Sequence, residues 1–277
     1  MSTPLMESSS AVSPFGQVLR EVRGSRKLSQ LGLSVEAGIS QRHISFLESG
    51  RARPSRSMVL QLSESLGLPL RLRNRLLMSA GFAPVYAQRT LDNPDMGPVR
   101  QALERLLAHH EPFPAFVVDR GWNLMMANPA AGRFVALLGE PEQVWRRVCG
   151  TAPPNPFKLT FHPEGLRPLI ANIAELGPAL LARARLEALE EPAMAQLLDV
   201  VLAYPGIPAR WKVAEPPPHP PPVMPVQMRI GGERLNFFTM LSSFGTPQDI
   251  TTDALRVEHI FPADAGSEAL LRRLAAG

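Results

Sequence analysis

The sequence predicts an α+β multidomain protein, with an all-α N-terminal domain of five helices and a C-terminal domain that combines an antiparallel sheet with helices. Three observations support this prediction. The length of 277 residues suits a small domain followed by a larger one. The first third has helical periodicity and helix caps, whereas the remainder mixes strand-like runs with helical ones. With 45% hydrophobic and 19% charged residues, the chain has the composition of a folded protein.

The composition excludes several classes of protein. No run approaches the roughly 18 apolar residues that a membrane helix needs. Residues 1–14 (MSTPLMESSSAVSP) lack the basic and apolar regions of a secretory signal. The lone cysteine, Cys149, cannot form an internal disulfide, which fits a reducing compartment. We therefore expect a cytoplasmic protein whose residues 1–12 are disordered.

Charge is distributed unevenly along the chain. Residues 1–90 carry 12 Lys and Arg against 5 Asp and Glu, a net charge of +7, whereas residues 91–277 carry 17 against 20, a net charge of −3. This asymmetry indicates that the two parts meet different partners, although a chance distribution of surface charge would look the same. The sequence motifs are therefore needed to distinguish these two interpretations of the charge asymmetry.

The basic part reads as short helices separated by capping residues. Ser29 can cap a helix that runs to Ala37, and Gly38 suits the left-handed residue that closes it. Ser40 can cap the next helix, so two helices flank a turn of about three residues. The preceding helix carries apolar residues at i, i+3, i+4 and i+7: Phe15, Val18, Leu19 and Val22. This is the spacing of a helix-turn-helix.

The third predicted helix, 41–49, has two different faces. At about 100° per residue, Gln41, Arg42 and Ser45 fall within one arc, and Ile44 and Leu47 fall opposite. Amide, guanidinium and hydroxyl groups are those that read base edges in the major groove of DNA. The alternative is a plain helical bundle with a solvated polar face.

A cationic loop follows this helix over residues 50–56. It carries Arg51 and Arg53, which are placed to meet DNA phosphates. Ser55 can cap a fourth helix, and a fifth is predicted over residues 70–80. Together these elements predict a DNA-binding domain over residues 13–90.

Residues 15–86 resemble the Cro/C1-type (XRE family) helix-turn-helix, and the match is carried by Leu28-Ser29-Gln30 and by residues 37–50 (AGISQRHISFLESG). The resemblance implies that Gln30 holds a phosphate and that Gln41, Arg42 and Ser45 meet bases. Ser34 stands where the family usually has alanine. Gly32 within the second helix is another departure, which costs ~1 kcal/mol relative to alanine.

Residues 91–99 are polar and rich in turn-forming residues, which predicts a linker before a domain at 100–277. The predicted elements of that domain are a helix over 99–110, strands over 115–119 and 123–128, helices over 129–138 and 141–148, a long helical region over 168–203 interrupted near 191–192, and a hairpin of 223–230 and 234–243. Residues 255–261 fit a strand or a helix. The proline-rich segment 215–222 fits an exposed spacer or an SH3-type ligand.

Residues from about 100 to 266 resemble the PAS-like, MmyB-like ligand-binding domain that follows such a helix-turn-helix in bacterial regulators. The matching residues are 121–123 (GWN), 128–131 (NPAA), 161–166 (FHPEGL), 204–205 (YP), 244–247 (FGTP) and 261–264 (FPAD). The tryptophan expected after residues 174–175 is Leu176 here. The resemblance implies a small-molecule effector, lipophilic or fatty-acid-like, and no further cofactor.

The residues offer a candidate lining for a ligand pocket. Flexible and aromatic apolar side chains suit long-chain ligands, and a few polar ones could anchor a head group. The candidates are Met125, Asn128, Arg133, Phe134, Leu138, Phe157, Phe161, His162, Phe237 and Met240. For the apolar members a closed core is the alternative. For Asn128, Arg133 and His162 it is a role as a helix cap or surface group.

No catalytic or metal-binding motif appears: there is no Gly-x-Ser-x-Gly, HExxH, phosphate loop, dinucleotide fingerprint or zinc spacing. We therefore expect a sequence-specific transcription regulator, a repressor that binds operator DNA as a homodimer and senses a small molecule. One alternative is a C-terminal domain that only dimerises or recruits another protein. An enzyme fused to a DNA-binding domain is the alternative of a different class.

Overall fold

A computed structural model of the protein describes residues 14–189, 191–212 and 223–276. The chain divides into two compact units. The first comprises Met1–Arg89 with Pro247–Asp253, and the second comprises Thr90–Thr246 with Ala254–Gly277. The predicted disordered N-terminus (1–12) and proline-rich segment (215–222) lie outside the described residues.

The first unit begins with the five predicted helices. They are α1 (Pro14–Ser25), α2 (Gln30–Ala37), α3 (Gln41–Glu48), α4 (Arg56–Ser65) and α5 (Leu70–Ser79). The predicted caps are confirmed: Ser29, Ser40 and Ser55 each accept a hydrogen bond from a backbone N–H in the first turn of the next helix. Gly38 is left-handed, with φ +62°. Local sequence therefore defines where these helices begin and where α2 ends.

The helices of this unit enclose one apolar core, whose fully buried members include Leu19, Leu33, Ile44, Leu47 and Leu62. Helices α1 and α3 approach closely at Gly16. A Cβ atom there would lie 2.5 Å from the carbonyl oxygen of Glu48, closer than real Cβ contacts. Glycine at position 16 therefore lets the end of α3 pack directly on the backbone of α1.

Pro247–Asp253 also belongs to the first unit, although the sequence prediction assigned these residues to the second domain. Most of helix α12 (Ile250–Ala254) lies in this segment. Asp249 accepts from Arg89, with Nη1 3.0 Å from Oδ2, and the N–H of Ile250 donates to the carbonyl of Ala87 at 2.9 Å. A distant segment thus completes the unit, which local sequence patterns do not reveal.

The second unit contains a five-stranded antiparallel sheet. Its strands are β1 (Ala115–Val118), β2 (Leu124–Ala127), β3 (Val226–Ile230), β4 (Glu233–Ser242) and β5 (Arg256–Pro262), in the order β2-β1-β5-β4-β3. For residues 255–261, the strand alternative is the one observed. This strand, β5, is the centre of the sheet.

The hairpin of β3 and β4 turns at Gly231 and Gly232, as predicted. Their φ angles are +57° and +87°, and Ile230 pairs with Glu233 across the two-residue loop. Positive φ at both loop positions is what the tightest hairpins require, and glycine adopts it without strain.

Helices of the second unit are α6 (Gly97–His110), α7 (Pro129–Ala136), α8 (Pro141–Cys149), α9 (Pro156–Phe161), α10 (Ile173–Ala188), α11 (Pro192–Leu202) and α13 (Ala265–Ala276). Helices α9 and α13 were not predicted. Residues 91–99 are less linker-like than predicted, because α6 begins at Gly97 and Met96 is buried. No helix among the described residues is long and apolar enough to cross a membrane. The α+β multidomain fold class is confirmed.

Apolar clusters pack on both faces of the sheet. The larger cluster includes Phe116, Phe237 and Ile260 and extends over α7 to α11, whereas the smaller includes Val117 and Val257 with α6. Because side chains alternate along a strand, neighbouring residues of β1 and β5 enter different clusters. The larger cluster encloses the cavity described below.

Candidate DNA-binding surface and ligand cavity

Helix α3 divides into a buried and an accessible face as the sequence predicts. Ile44 and Leu47 are fully buried, whereas Gln41 and Arg42 are exposed and Ser45 is partly buried. The guanidinium of Arg42 lies 5.3 Å from the centre of the Phe46 ring, an arrangement in which the cation is attracted to the ring face. The accessible face therefore presents the amide, guanidinium and hydroxyl groups that can read base edges.

A buried carboxylate, Glu48, ties this helix to its neighbours. Arg23 of α1 donates to it twice, Nε to Oε1 at 2.6 Å and Nη2 to Oε2 at 3.1 Å. Gln30 of α2 donates through Nε2 to Oε2 at 2.8 Å. Burial raises the pKa of Glu48, but the hydrogen bonds from Arg23 and Gln30 and the charges of Arg23 and Arg20 outweigh it, so its pKa lies below the usual value. The ionised carboxylate thus links three helices.

Sequence reasoning missed Glu48, although a signal for it exists. Residues 44, 47 and 48 have i, i+3, i+4 spacing, so position 48 falls on the buried face of a helix whose other two residues there are apolar. A charged residue is rarely buried unless it is paired. The contact also fixes Gln30, the predicted phosphate ligand, while its second amide N–H is not used by this bond.

The loop after α3 presents the predicted cationic groups. The N–H groups of Arg51 and Ala52 donate to the carbonyl of Phe46 at 2.9 and 3.2 Å, and Gly50 has φ +75°. Both Arg51 and Arg53 are exposed. The loop backbone is thus anchored to the helix while the two guanidinium groups extend into solvent, the arrangement that phosphate contacts need.

The second unit contains a cavity of ≈ 70 Å³ between the sheet and the helical layer. Its lining comes from β1, β3, β4 and β5 on one side and from α7, α9 and α10 with the loop at 166–170 on the other. The described lining is apolar except for Thr160, Thr239 and Glu258. Leu176, which stands where the resemblance implies tryptophan, is part of this lining. A smaller side chain at this position leaves more room for a ligand.

Glu258 is an unusual residue for its place in the fold. It lies on the central strand β5, opposite Phe116 of β1 and Leu241 of β4. Burial raises its pKa to about 7, although the charge of Arg183 and a hydrogen bond with Thr239 act in the opposite direction. At neutral pH this carboxyl group is therefore protonated in a large fraction of the molecules.

Two of the ten predicted ligand residues, Phe134 and Phe237, line the cavity, and their rings meet edge to face with centroids 5.8 Å apart. Phe157 and Phe161 are buried against each other in the core instead. Leu138 packs at the margin of that core. Met125 and Met240 are exposed by 42% and 56%, which places both at the surface of the unit.

The three predicted head-group anchors have other partners. Asn128 is buried, accepts from the N–H groups of Ala115 and Ala131, and donates to backbone carbonyls, so it has the capping role that was the alternative. Arg133 pairs with Glu111 at 2.7 Å. His162 accepts from the N–H of Glu164 at 3.1 Å, and burial lowers its pKa. None of these three is among the described residues that line the cavity.

The sequence prediction missed Glu258 because it left residues 255–261 open between helix and strand, and it missed Thr239 because the pairing of β4 with β5 was not predicted. Once β5 is known, the alternation of its side chains puts Glu258 and Ile260 on the face of the large cluster. The register with β4 puts Thr239 opposite Ile260 on that face. The feature that could have identified Glu258 is a charged residue at a strand position that faces the core. This position can be recognised only when the pairing of β5 with β4 is known.

These features define a class of protein: a helix-turn-helix unit joined to an α+β domain that has a largely apolar, partly open cavity. Residues 99–274 match the family described as the MmyB-like transcription regulator ligand binding domain, and residues 19–72 match a helix-turn-helix family. The chain belongs to the MmyB-like transcription regulator family, since that family model matches more than half of its residues.

One curated relative is an uncharacterized HTH-type transcriptional regulator, RghRB, of Bacillus subtilis (strain 168). The two sequences are 37% identical over 78 residues, which is 28% of this chain. The match covers 54% of the relative, so this chain spans about half of the length of that protein.

Proposed function

We propose that this protein is a cytoplasmic transcriptional repressor that binds operator DNA as a homodimer and changes its affinity for DNA when a small lipophilic ligand enters the cavity. The observation that carries the proposal is the apolar cavity, whose described lining contains one ionisable group, Glu258, in a chain that also presents the reading face of α3. Cavities lined by apolar side chains with few polar groups are the usual form of small-molecule sites.

The homodimer follows from the size of the recognition surface. One recognition helix contacts only a few base pairs, which gives little specificity in a genome. Two helices related by a twofold axis read two half-sites about 34 Å apart, one turn of the duplex. A ligand that changes this separation changes the affinity for the operator.

The connection from β4 to β5 offers a route for such a change. Both strands contribute to the cavity, β4 through Phe237 and Thr239 and β5 through Glu258 and Ile260. The chain between them contains Pro247–Asp253, which packs within the first unit. A ligand that alters the two strands therefore acts on a segment that is part of the DNA-binding unit, and it is effective only if it binds the two arrangements with different affinity.

The test combines operator binding with a ligand panel. An operator is selected from random DNA with the full chain, and affinity is measured by fluorescence anisotropy with alcohols, fatty acids and amines of equal chain length. We expect one class to change the affinity by about 5- to 150-fold, the range of typical allosteric coupling. Affinity that is constant across the panel, with no ligand detected by native mass spectrometry, would refute ligand control.

The alternative is a second unit that only dimerises or recruits another protein. Leu186 and Leu189, near the end of α10, are exposed by 68% and 64% and favour such a surface. Ligand-independent operator binding by a stable dimer would support this alternative.

A further inference from the structure

The polar chemistry of the cavity is concentrated on two neighbouring strands. Thr239 on β4 and Glu258 on β5 face the same side of the sheet, and they share a hydrogen bond. Thr160 is the other hydroxyl-bearing residue in the described lining, and the remainder is apolar. Among the described lining residues, a ligand in this cavity therefore meets one ionisable group, the carboxyl of Glu258. The protonation state of that carboxyl determines which ligand head groups the cavity can bind.

Several charged groups surround Glu258 without forming an ion pair with it. Arg183 and Glu187 of α10 lie on the helical side, and Arg256 lies two residues earlier on the same face of β5. Glu187 is paired with both, at 3.0 Å to Arg183 and 2.7 Å to Arg256. Among the described residues, no basic nitrogen is within 4.0 Å of the carboxylate of Glu258. Arg183 still lowers the pKa of Glu258 through its charge, but the effect of burial is larger.

The protonated state follows from this environment. Glu258 is partly buried and has no ion-pair partner among the described residues, so the removal of water from its carboxyl group favours the protonated form. The carboxylic acid then has one O–H donor, and its other oxygen accepts from the hydroxyl of Thr239. The pKa of about 7 supports the same conclusion. The acid O–H is available to an acceptor in the cavity.

We propose, on the basis of the ligand-binding function above, that Glu258, positioned by the hydroxyl of Thr239, donates to the hydroxyl or carbonyl oxygen of an uncharged aliphatic ligand, and that the cavity discriminates against the carboxylate of a fatty acid. An anionic head group either repels the ionised form of Glu258 or, beside the protonated form, places a negative charge in a largely apolar cavity. An alcohol or amide oxygen accepts the proton of the acid and leaves both partners neutral. The ligand is therefore lipophilic, as the family resemblance implies, but its head group differs from that of an ionised fatty acid.

The experiment uses three probes that share one chain: octan-1-ol, octanoate and octylamine. Binding to the full chain is measured by isothermal titration calorimetry at pH 6 and pH 8. At pH 6 we expect octan-1-ol to bind at least about 10-fold more tightly than octanoate, which corresponds to about 1.4 kcal/mol. Because only the protonated acid donates to the alcohol, a pKa near 7 also predicts that octan-1-ol binds roughly 10-fold more weakly at pH 8.

Three variants test whether the binding of octan-1-ol and its pH dependence arise from Glu258 and Thr239. Glu258→Gln keeps an N–H donor of similar size and cannot titrate, so octan-1-ol binding should persist and lose its pH dependence. Thr239→Val removes the hydroxyl that donates to Glu258, with little change of shape. Because that hydrogen bond lowers the pKa of Glu258, the fall in octan-1-ol binding should move to higher pH. Glu268→Gln alters an exposed carboxylate on α13 and is the matched control, with binding and pH dependence like those of the unaltered chain.

The outcomes separate this proposal from the proposed function. Tighter binding of octanoate or octylamine than of octan-1-ol would overturn the inference and leave ligand control intact. A pH dependence that survives in Glu258→Gln would also overturn it, because another group, such as His162, would then titrate. Absence of binding by all three probes, together with constant operator affinity, would count against ligand control itself.

Discussion

Replacing Glu48 by alanine should destabilise the DNA-binding unit far more than replacing a surface acid. The substitution removes the acceptor of two hydrogen bonds from Arg23 and one from Gln30. The side chain of Arg23 is only 15% exposed, so water replaces the lost partner incompletely. Removing one member of a buried ion pair costs about 3–5 kcal/mol, and the partial exposure of Arg23 places the expected loss near the lower end, about 3 kcal/mol.

The three tryptophans of the chain make the assay selective. Trp122, Trp145 and Trp211 all lie in the second unit, whereas the first unit contains none. Far-UV circular dichroism reports the helices of both units, so the part of its urea transition that tryptophan fluorescence does not follow belongs to the first unit. That part should move to roughly 1–3 M lower denaturant for a loss of about 3 kcal/mol. The transition seen by tryptophan fluorescence should stay in place, which makes it an internal reference.

A matched control distinguishes the buried pair from ordinary surface charge. Glu21 pairs with Arg75 at 2.7 Å, and the two side chains are 45% and 51% exposed. Glu21→Ala should therefore cost less than ~1 kcal/mol. Equal losses for Glu48→Ala and Glu21→Ala would refute the argument that burial makes the Glu48 contacts stabilising.

The pH dependence gives an independent check on Glu48. Its pKa in the folded protein is below the usual value, because the contacts of Arg23, Gln30 and Arg20 outweigh the effect of burial. The folded state therefore binds this proton less readily than the unfolded state. The stabilisation is present above the unfolded pKa of about 4.3 and is lost as pH falls through the folded pKa. Glu48→Gln should thus flatten the acid side of the stability curve.

The remaining predictions concern packing, DNA reading and coupling. Gly16→Ala should destabilise the first unit by about 1–3 kcal/mol in the same urea assay, because the new Cβ would lie 2.5 Å from a backbone oxygen of α3. Arg42→Ala should weaken operator binding by about 1–3 kcal/mol and alter base preference, whereas Arg53→Ala should weaken binding to all sequences and lower the salt dependence. Equal losses of Arg42→Ala on operator and random DNA would contradict its role in base reading. Asp249→Ala should reduce the ratio of operator affinities with and without ligand, and Asp92→Ala, a 94% exposed acid, should leave that ratio unchanged.

The DNA-binding unit was largely predictable because local sequence determines it. Ser29, Ser40 and Ser55 cap helices through contacts within four residues, and Gly38 closes α2 through its own backbone conformation. Such features need no knowledge of distant partners. Glu48 was harder to find, because its partners Arg23 and Gln30 lie 25 and 18 residues away.

The ligand cavity was much less predictable, because it is built from distant strands. The sequence analysis selected aromatic and methionine residues as pocket candidates by residue type. Residue type alone does not distinguish Phe134, which lines the cavity, from Phe161, which packs in the core. The sheet register decides such cases, and it depends on β1 pairing with β5, more than 130 residues later. Glu258 can be recognised as a cavity residue only when that pairing is known, because the pairing places it on the sheet face that packs against the core.

The place of Asp249 in the chain gives the coupling prediction its physical basis. Asp249 is buried, precedes α12, and accepts hydrogen bonds from the N–H of Thr251 at 2.8 Å and from the guanidinium of Arg89 at 3.0 Å. These contacts fix the segment within the DNA-binding unit, while its two ends continue into β4 and β5, the strands that carry Thr239 and Glu258. A ligand that pairs with Glu258 must either fit the existing strand positions or displace them. If the strands move, the hydrogen bonds of Asp249 transmit the movement to the DNA-binding unit. In Asp249→Ala these bonds are absent, so the segment can move without affecting that unit. The variant should therefore still bind ligand and DNA, but ligand should no longer change its affinity for DNA.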